Sequence, residues 1–323
     1  MIELTNLLTR PDKFKDTMTL IESEFGYDEV NSFEKDFLPL IKKENHKNLY
    51  ILMENETVIG HIGLLEKDLT INNNDYKCAF LGGIVIKSSH QGRGLSKRLM
   101  SVIDDKINDY TFILLWSDKT DYYKKFDYSP CIQQFQYEHS PSKSLYERIE
   151  DKDEFIDALK HLYIGEKEVR PQRDESDWNT LKEMNSVDLY IKRNDEKEII
   201  NYFLINKGQD LQSIIHEYAT VDSDMLNYGY LWTPHEIQGL APLYQYGALL
   251  KIGSESNFKS FIHDITDKKI QISAIDSHSV EFQFNNKSFQ LSIDEFLTGV
   301  LGPSRFEELE DCPYLYIPGI DSI

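Results

Sequence analysis

An α/β (α+β) class built on a mixed central sheet follows from three observations on this 323-residue chain. Strand-like runs alternate with segments of helical spacing along its whole length. Short turns join the strands between residues 49 and 86, so those strands pair antiparallel. Finally, the β-branched run Ile84-Val85-Ile86 passes through a glycine turn, "HQGRGLS", straight into a helix.

Residues 11–25 place Phe14, Met18, Ile21 and Phe25 on one helical face, and a second helix is expected over 33–44. "LYILMEN" turns at Asn55-Glu56 into "TVIGHIGLLEKDLTI", and "NNND" turns that strand into "YKCAFLGGIVI". The next helix, over 94–108, puts Leu95, Leu99, Val102 and Ile103 on one face. "FILLW" (112–116) is a short buried strand, "KTDYYKKF" a short helix and "SPCIQQFQYEH" a strand. The order to this point is ααβββαβαβ. The polar stretch 139–144 reads as a linker. Beyond it, a helix at 151–163, the segment "RPQRDESDWNTLKEM" and the strands "VDLYIKR", "IINYFLINK" and "LQSIIHEYA" echo the first region without a glycine turn. A third region from about 240 offers a strand "YGALLKIG", a helix "NFKSFIHDI", strands "SVEFQFNN" and "KSFQLS", and a helix "IDEFLTGVLG". The expected domains are 1–140, 145–235 and 236–323.

The formal net charge is −20. Residues 1–140 carry 17 basic against 22 acidic residues and residues 141–323 carry 18 against 33, so both parts disfavour nucleic acid and anionic membranes. A small cationic amine or a basic peptide is the partner such a surface favours; homo-oligomerisation is left open. The three cysteines, Cys78, Cys131 and Cys312, are far apart and form no CxxC pair, which argues against a disulfide framework or zinc site. With neither a signal-like N-terminus nor an 18-residue apolar run, a cytoplasmic location is expected. "HEYAT" at His216-Glu217 lacks the second histidine of a zincin motif, and Asn55 of the "NET" sequon is better explained as a hairpin turn.

A helix N-terminus presents unpaired N–H groups and the positive end of the helix dipole, and glycines let a phosphate approach them closely. "GRGLSK" does not have P-loop spacing, and Lys97 stands where a dinucleotide fingerprint needs its third glycine. Gln91-Gly92-Arg93-Gly94-Leu95-Ser96 instead resembles the [RQ]xxGx[GA] motif of the GNAT superfamily of acyl-CoA N-acyltransferases, with Ser96 in the final small position. Tyr122-Tyr123-Lys124-Lys125-Phe126-Asp127-Tyr128 is similar to that family's FYxxxGF-like segment, with Asp127 replacing glycine. The resemblance covers about residues 1–140. The later segments resemble a longer branch, with a degenerate second GNAT-like domain and a sterol-carrier-like C-terminal domain, to which aminoglycoside acetyltransferases of the mycobacterial enhanced-intracellular-survival type belong.

The resemblance implies an N-acetyltransferase using acetyl-CoA and a primary amine acceptor. Ile84, Val85 and Ile86 would hold the pantetheine arm through their main chain. Gln91, Gly92, Arg93, Gly94, Leu95 and Ser96 would surround the pyrophosphate, and Tyr123 would protonate the leaving thiolate. Tyr122 is then expected to face the core, and Lys124-Lys125 to be helix surface. The base is open: His61 reads first as a core histidine, Asp118 equally as a helix cap, and the Ile323 carboxylate or Asp321 enters only if the apolar tail "PYLYIPGIDSI" docks. The other reading is a non-catalytic acyl-CoA-binding regulatory or scaffold module.

Overall fold

The computed structural model describes residues 2–138, 140, 145–163 and 167–323. Strand β1 (Ile2–Asn6) precedes helix α1 (Phe14–Phe25). The helix expected over 33–44 is two single turns, α2 (Phe33–Asp36) and α3 (Leu38–Ile41), because Pro39 can open a helix but not continue one. Strands β2 (Leu49–Glu54), β3 (Thr57–Ile71) and β4 (Asn74–Ile86) form the expected antiparallel meander. Its turns, Asn55-Glu56 and Asn72-Asn73, have all four residues at positive φ, the geometry that matches strand twist in two-residue hairpins. Helix α4 (Leu95–Asp104), strand β5 (Phe112–Leu115), helix α5 (Thr120–Tyr123) and strand β6 (Ser129–Tyr137) complete this half.

Strand β7 (Glu147–Ile149), helix α6 (Ile156–Leu162), strand β8 (Glu168–Val169) and helix α7 (Glu175–Glu183) come next. Strands β9 (Asp188–Arg193), β10 (Ile199–Ile205), β11 (Ile214–Tyr218), β12 (Tyr230–Thr233) and β13 (Leu243–Ile252) follow. Helix α8 (Glu255–Ile265) leads into a three-stranded sheet, β14 (Ile270–Ile275), β15 (Ser279–Phe284) and β16 (Lys287–Ser292), and then α9 (Ile293–Leu301) and β17 (Tyr314–Leu315). The sequence reading missed β1, β14 and the short strands β7, β8, β12 and β17. The expected linker at 139–144 falls, apart from residue 140, outside the described residues.

The main sheet has the order β1-β2-β3-β4-β5-β13-β6-β12-β11-β10-β9-β7. It runs without a break through the three expected domains. One assignment needs correction: β13, read as part of 236–323, lies between β5 and β6 of the first region and pairs antiparallel with both. Such a pairing spans more than 100 residues of sequence and leaves no mark on local periodicity. The pairing pattern repeats across the sheet. β2/β3 and β3/β4 are antiparallel and β4/β5 parallel; β9/β10 and β10/β11 are antiparallel and β11/β12 parallel.

Alternation sets the two faces of the first half. Ala79 and Leu81 join Leu95, Leu99 and Ile103 under α4, whereas Phe80 packs on the other side with Met18, Ile21 and Phe261. Among the described residues no helix is long and apolar enough to cross a membrane.

A buried charge cluster joins the halves to the tail. Lys67 of β3 reaches Asp177 of α7 at 2.8 Å and Asp321 at 3.7 Å; Arg173 reaches Glu217 at 2.6 Å and Asp321 at 2.7 Å. Burial alone would raise the Asp321 carboxyl, but Arg173 and Lys67 hold it below the usual carboxylate range. Removing one partner of such a set strands the others in a dry interior. Asp321→Asn is therefore expected to destabilise the fold by about 3–5 kcal/mol at pH 7 in urea unfolding. A depressed carboxyl stabilises above its unfolded pKa of about 3.9 and loses that contribution as pH falls through its folded value. The deficit of the variant should accordingly shrink below about pH 4, and a deficit constant through that range would contradict the assignment.

Candidate active site

The site begins where two parallel strands part. β4 and β5 pair from Ala79 opposite Ile113 to Leu81 opposite Leu115, where β5 stops. β4 continues for five residues, held on its other edge by β3, where His61 faces Val85 and Gly60 faces Ile86. The register slips at this point, and the irregularity is Gly83, at φ +60°, a conformation open to glycine at little cost. His61 sets the kink. Its Nδ1 lies 2.7 Å from the Gly83 carbonyl oxygen, which can only accept, so Nδ1 donates and the imidazole is held in one tautomer. The ring is fully buried, and burial pushes its pKa down to about 4 against the lesser, raising effect of the Gly83 bond. His61 is thus a neutral structural prop, as the core reading expects.

The split opens into a cavity of about 680 Å³ lined by Leu81 to Ile84, Trp116, Asp118 and Tyr123. The second half contributes Lys207, Asp210 and Trp232, the first helical region Phe25, Phe33 and Phe37, and the tail Ser322 and Ile323. Ile84 is half-buried at the wall, whereas Val85 and Ile86 face opposite cores; only their main chain meets the open edge. Tyr123 is buried in the α4-side core and borders the same cavity. Burial, with Tyr122 and Asp118 adding to it, pushes its phenol up to about 12. Its hydroxyl makes no hydrogen bond among the described residues. Tyr122, expected to face the core, is instead exposed, edge-on against the buried Tyr123 at 5.1 Å.

The glycine turn lies beyond the far end of the open edge. Gln91 donates through Nε2 to the Ile86 carbonyl at 3.0 Å, tying turn to strand. Gly92 and Gly94 are at φ +74° and +72°, and a Cβ on either would point into open space. Gly94 is the residue before α4, whose first turn has no side-chain cap. Leu95 is buried under the helix as an anchor and Ser96 is half-buried. Arg93 is exposed and pairs with Glu54 at 3.0 Å, and Glu54 also accepts from His90 at 3.1 Å.

Other expectations are settled here. Asp118 caps nothing: α5 has no side-chain cap, and the carboxylate faces the cavity. Lys124 is exposed, as expected of helix surface, and pairs with Asp294 at 2.7 Å. Asp127 takes the left-handed conformation at φ +65° where the motif usually has glycine. Asp321 is committed to its buried ion pairs, whereas Ile323 does reach the cavity: a Cβ on Gly82 would lie 2.7 Å from its main-chain carboxyl carbon. Lys207 and Asp210 were missed, because "NKGQD" reads as an ordinary polar turn.

A parallel pair splays beside a helix opened by a glycine turn, and this chain has the GNAT fold. Residues 8–131 match the Acetyltransferase (GNAT) domain model. Similar solved structures extend the likeness along the chain. A probable N-acyltransferase from Enterococcus faecalis V583, of unknown function, has TM-score 0.59 at 9% identity, covering 90% of this chain and 85% of its own. A GCN5-related N-acetyltransferase from Kribbella flavida has TM-score 0.57 at 11% identity with both chains fully covered. Eis1 from Mycobacterium abscessus has TM-score 0.54 at 12% identity, covering 90% and 85%. No curated protein matches the sequence.

The buried histidines give a pH prediction. His61 and His216 are both held neutral by burial, down to about pH 4. The unfolded chain takes up their protons near pH 6.5, so stability falls as pH drops from about 6.5 to 4, by up to ~3 kcal/mol per ring. Histidine NMR titration should find both below pH 5, and a His61 midpoint near 6.5 would overturn the prop assignment.

Proposed function

We propose that this chain moves an acetyl group from acetyl-CoA to a primary amine of a small cationic molecule or peptide by direct attack. The observation that carries the reading is that β4 beyond its pairing with β5, at Gly82 to Ile84, and Tyr123 border one cavity.

The main chain of Ile84, Val85 and Ile86 offers the pantetheine amides the hydrogen bonds a neighbouring strand would. The free N–H groups from Gly92 to Ser96, with the dipole of the ten-residue α4, suit a pyrophosphate, and Gln91 braces the turn. Arg93 can exchange its exposed pair with Glu54 for phosphate, since such pairs are worth at most about 1 kcal/mol.

In the reaction the amine nitrogen bonds to the thioester carbonyl carbon and the C–S bond breaks. The oxyanion formed on the way is stabilised by main-chain N–H groups of the open edge. The amine loses its proton to a cavity carboxylate, with Asp118 and Asp210 placed to receive it. Tyr123 gives a proton to the departing thiolate. Burial lifts the phenol to about 12, so it is protonated through the neutral range. The aromatic walls, the carboxylates and the net charge of −20 all favour a cationic acceptor. Three buried, unpaired cysteines suit a reducing cytoplasm.

Thiol release from acetyl-CoA over a panel of amines tests the reading. Tyr123→Phe should lower kcat by about 10²- to 10⁴-fold while CoA affinity by calorimetry stays within about twofold. CoA binding without turnover on any amine would favour the binding-module reading, and absence of CoA binding would overturn both.

A further inference from the structure

The second half has its own splayed pair, and the chain's own tail fills it. β11 and β12 pair in parallel only at Ile214 and Ile215. Beyond that point the His216 carbonyl accepts from the Tyr316 hydroxyl at 2.7 Å and from the Gly319 N–H at 3.0 Å. Tyr316 also stacks on Tyr218 at 5.4 Å. The tail then crosses from this plugged cleft to the open one, where Ile323 lies against Gly82. Lys207 stands at the crossing. It is fully buried, and its Nζ donates to the Gly319 carbonyl at 2.8 Å and to the Ser322 carbonyl. The same ammonium sits 4.4 Å from the centre of the Phe37 ring, itself a wall of the cavity.

We infer that Lys207 is a positioning residue, whose ammonium clamps the Gly319 and Ser322 carbonyls and so fixes the tail as one wall of the acceptor side of the cavity. This rests on the acyl-transfer reading of that cavity. A buried ammonium is costly unless its donors are used. Here two donors are spent on the tail, and the facing charges are Asp36, Asp210 and Asp321. A main-chain clamp of this kind does not depend on tail side chains. Burial lowers the Lys207 pKa to about 8 despite those carboxylates, in keeping with a dry site. Without the ammonium, two carbonyls lose their donor at the point where the tail leaves its anchor. The nearest place to find replacement donors is water in the cavity.

Lys207→Met in the full chain tests the clamp. Hydrogen exchange at Asp321 and Ser322, whose amides bond to the Pro318 carbonyl at 2.9 and 3.1 Å, should speed at least about tenfold, with core exchange and Tm little changed. The acceptor KM should rise at least about tenfold, while kcat at saturating acceptor and CoA affinity stay within about twofold. Lys207→Arg should restore part of both. Tail exchange unchanged in Lys207→Met, or loosened with no change in KM, overturns the proposal. Should Lys207→Met fail to fold, wild-type exchange decides: the clamp requires slow exchange at 321 and 322, and exchange at the free-peptide rate overturns it. If no amine is turned over, the acyl-transfer reading falls by itself, and the exchange data still settle whether Lys207 holds the tail.

Discussion

Asp321 is where the parts of this molecule meet. Its carboxylate sits within 2.7 Å of Arg173 and 3.7 Å of Lys67, and these cations pair onward with Glu217 and Asp177. Lys42 approaches Asp177 at 3.8 Å and brings the set to neutrality. The members come from separate stretches of chain: the residue after α3 and a strand in the first half, the start of α7 and a strand in the second, and the tail. Apolar contact would hold these parts together at many registers. Charges that cannot be left unpaired in a dry interior permit one arrangement. That arrangement carries the tail past the second half's cleft and delivers Ser322 and Ile323 to the first.

The open cleft of the first half depends on a smaller constraint of the same kind. β4 must stay a strand to offer a free edge, yet leave β5 to create the gap. Gly83 at positive φ makes the departure, and the buried His61 makes it permanent by donating to the Gly83 carbonyl. A charged imidazole would sit badly in that core, so the residue that looks most like a base in "VIGHIG" is the one least suited to titrate. The same dryness raises the Tyr123 phenol. Burial thus lowers a histidine and lifts a phenol, in each case favouring the neutral form.

What the sequence reveals follows the range of the forces involved. β2 to β4, the hairpin turns and the glycine turn were legible because each is written in neighbouring residues: alternation, paired turn residues, and glycines before a helix. Pro39 was there to be read, but the apolar spacing around it outweighed it, and one helix was expected where two turns stand. The placement of β13 between β5 and β6 could not be read, since its partners are local in space alone. Tyr122 was expected in the core from the resemblance alone, and the structure exposes it while burying Tyr123. Lys207 was invisible for a different reason. A lysine followed by glycine in a polar turn signals solvent, and only the docked tail turns that position into an interior one.

The two splayed pairs show how one strand pattern can serve opposite ends. Both present a parallel pair that opens and so exposes main-chain groups needing partners. In the second half, the chain satisfies them itself: Tyr316 and Gly319 take the His216 carbonyl, and Arg170 takes that of Tyr218 at 2.9 Å. A cleft already paired has nothing left to offer a pantetheine arm, and no glycine turn follows it to receive phosphates. In the first half the edge stays open, and the glycine turn lies in line with it. The difference between the open cleft and the filled one therefore lies in what is left unpaired. The tail makes that division: it closes one opening and, held by Lys207 and Asp321, shapes the other.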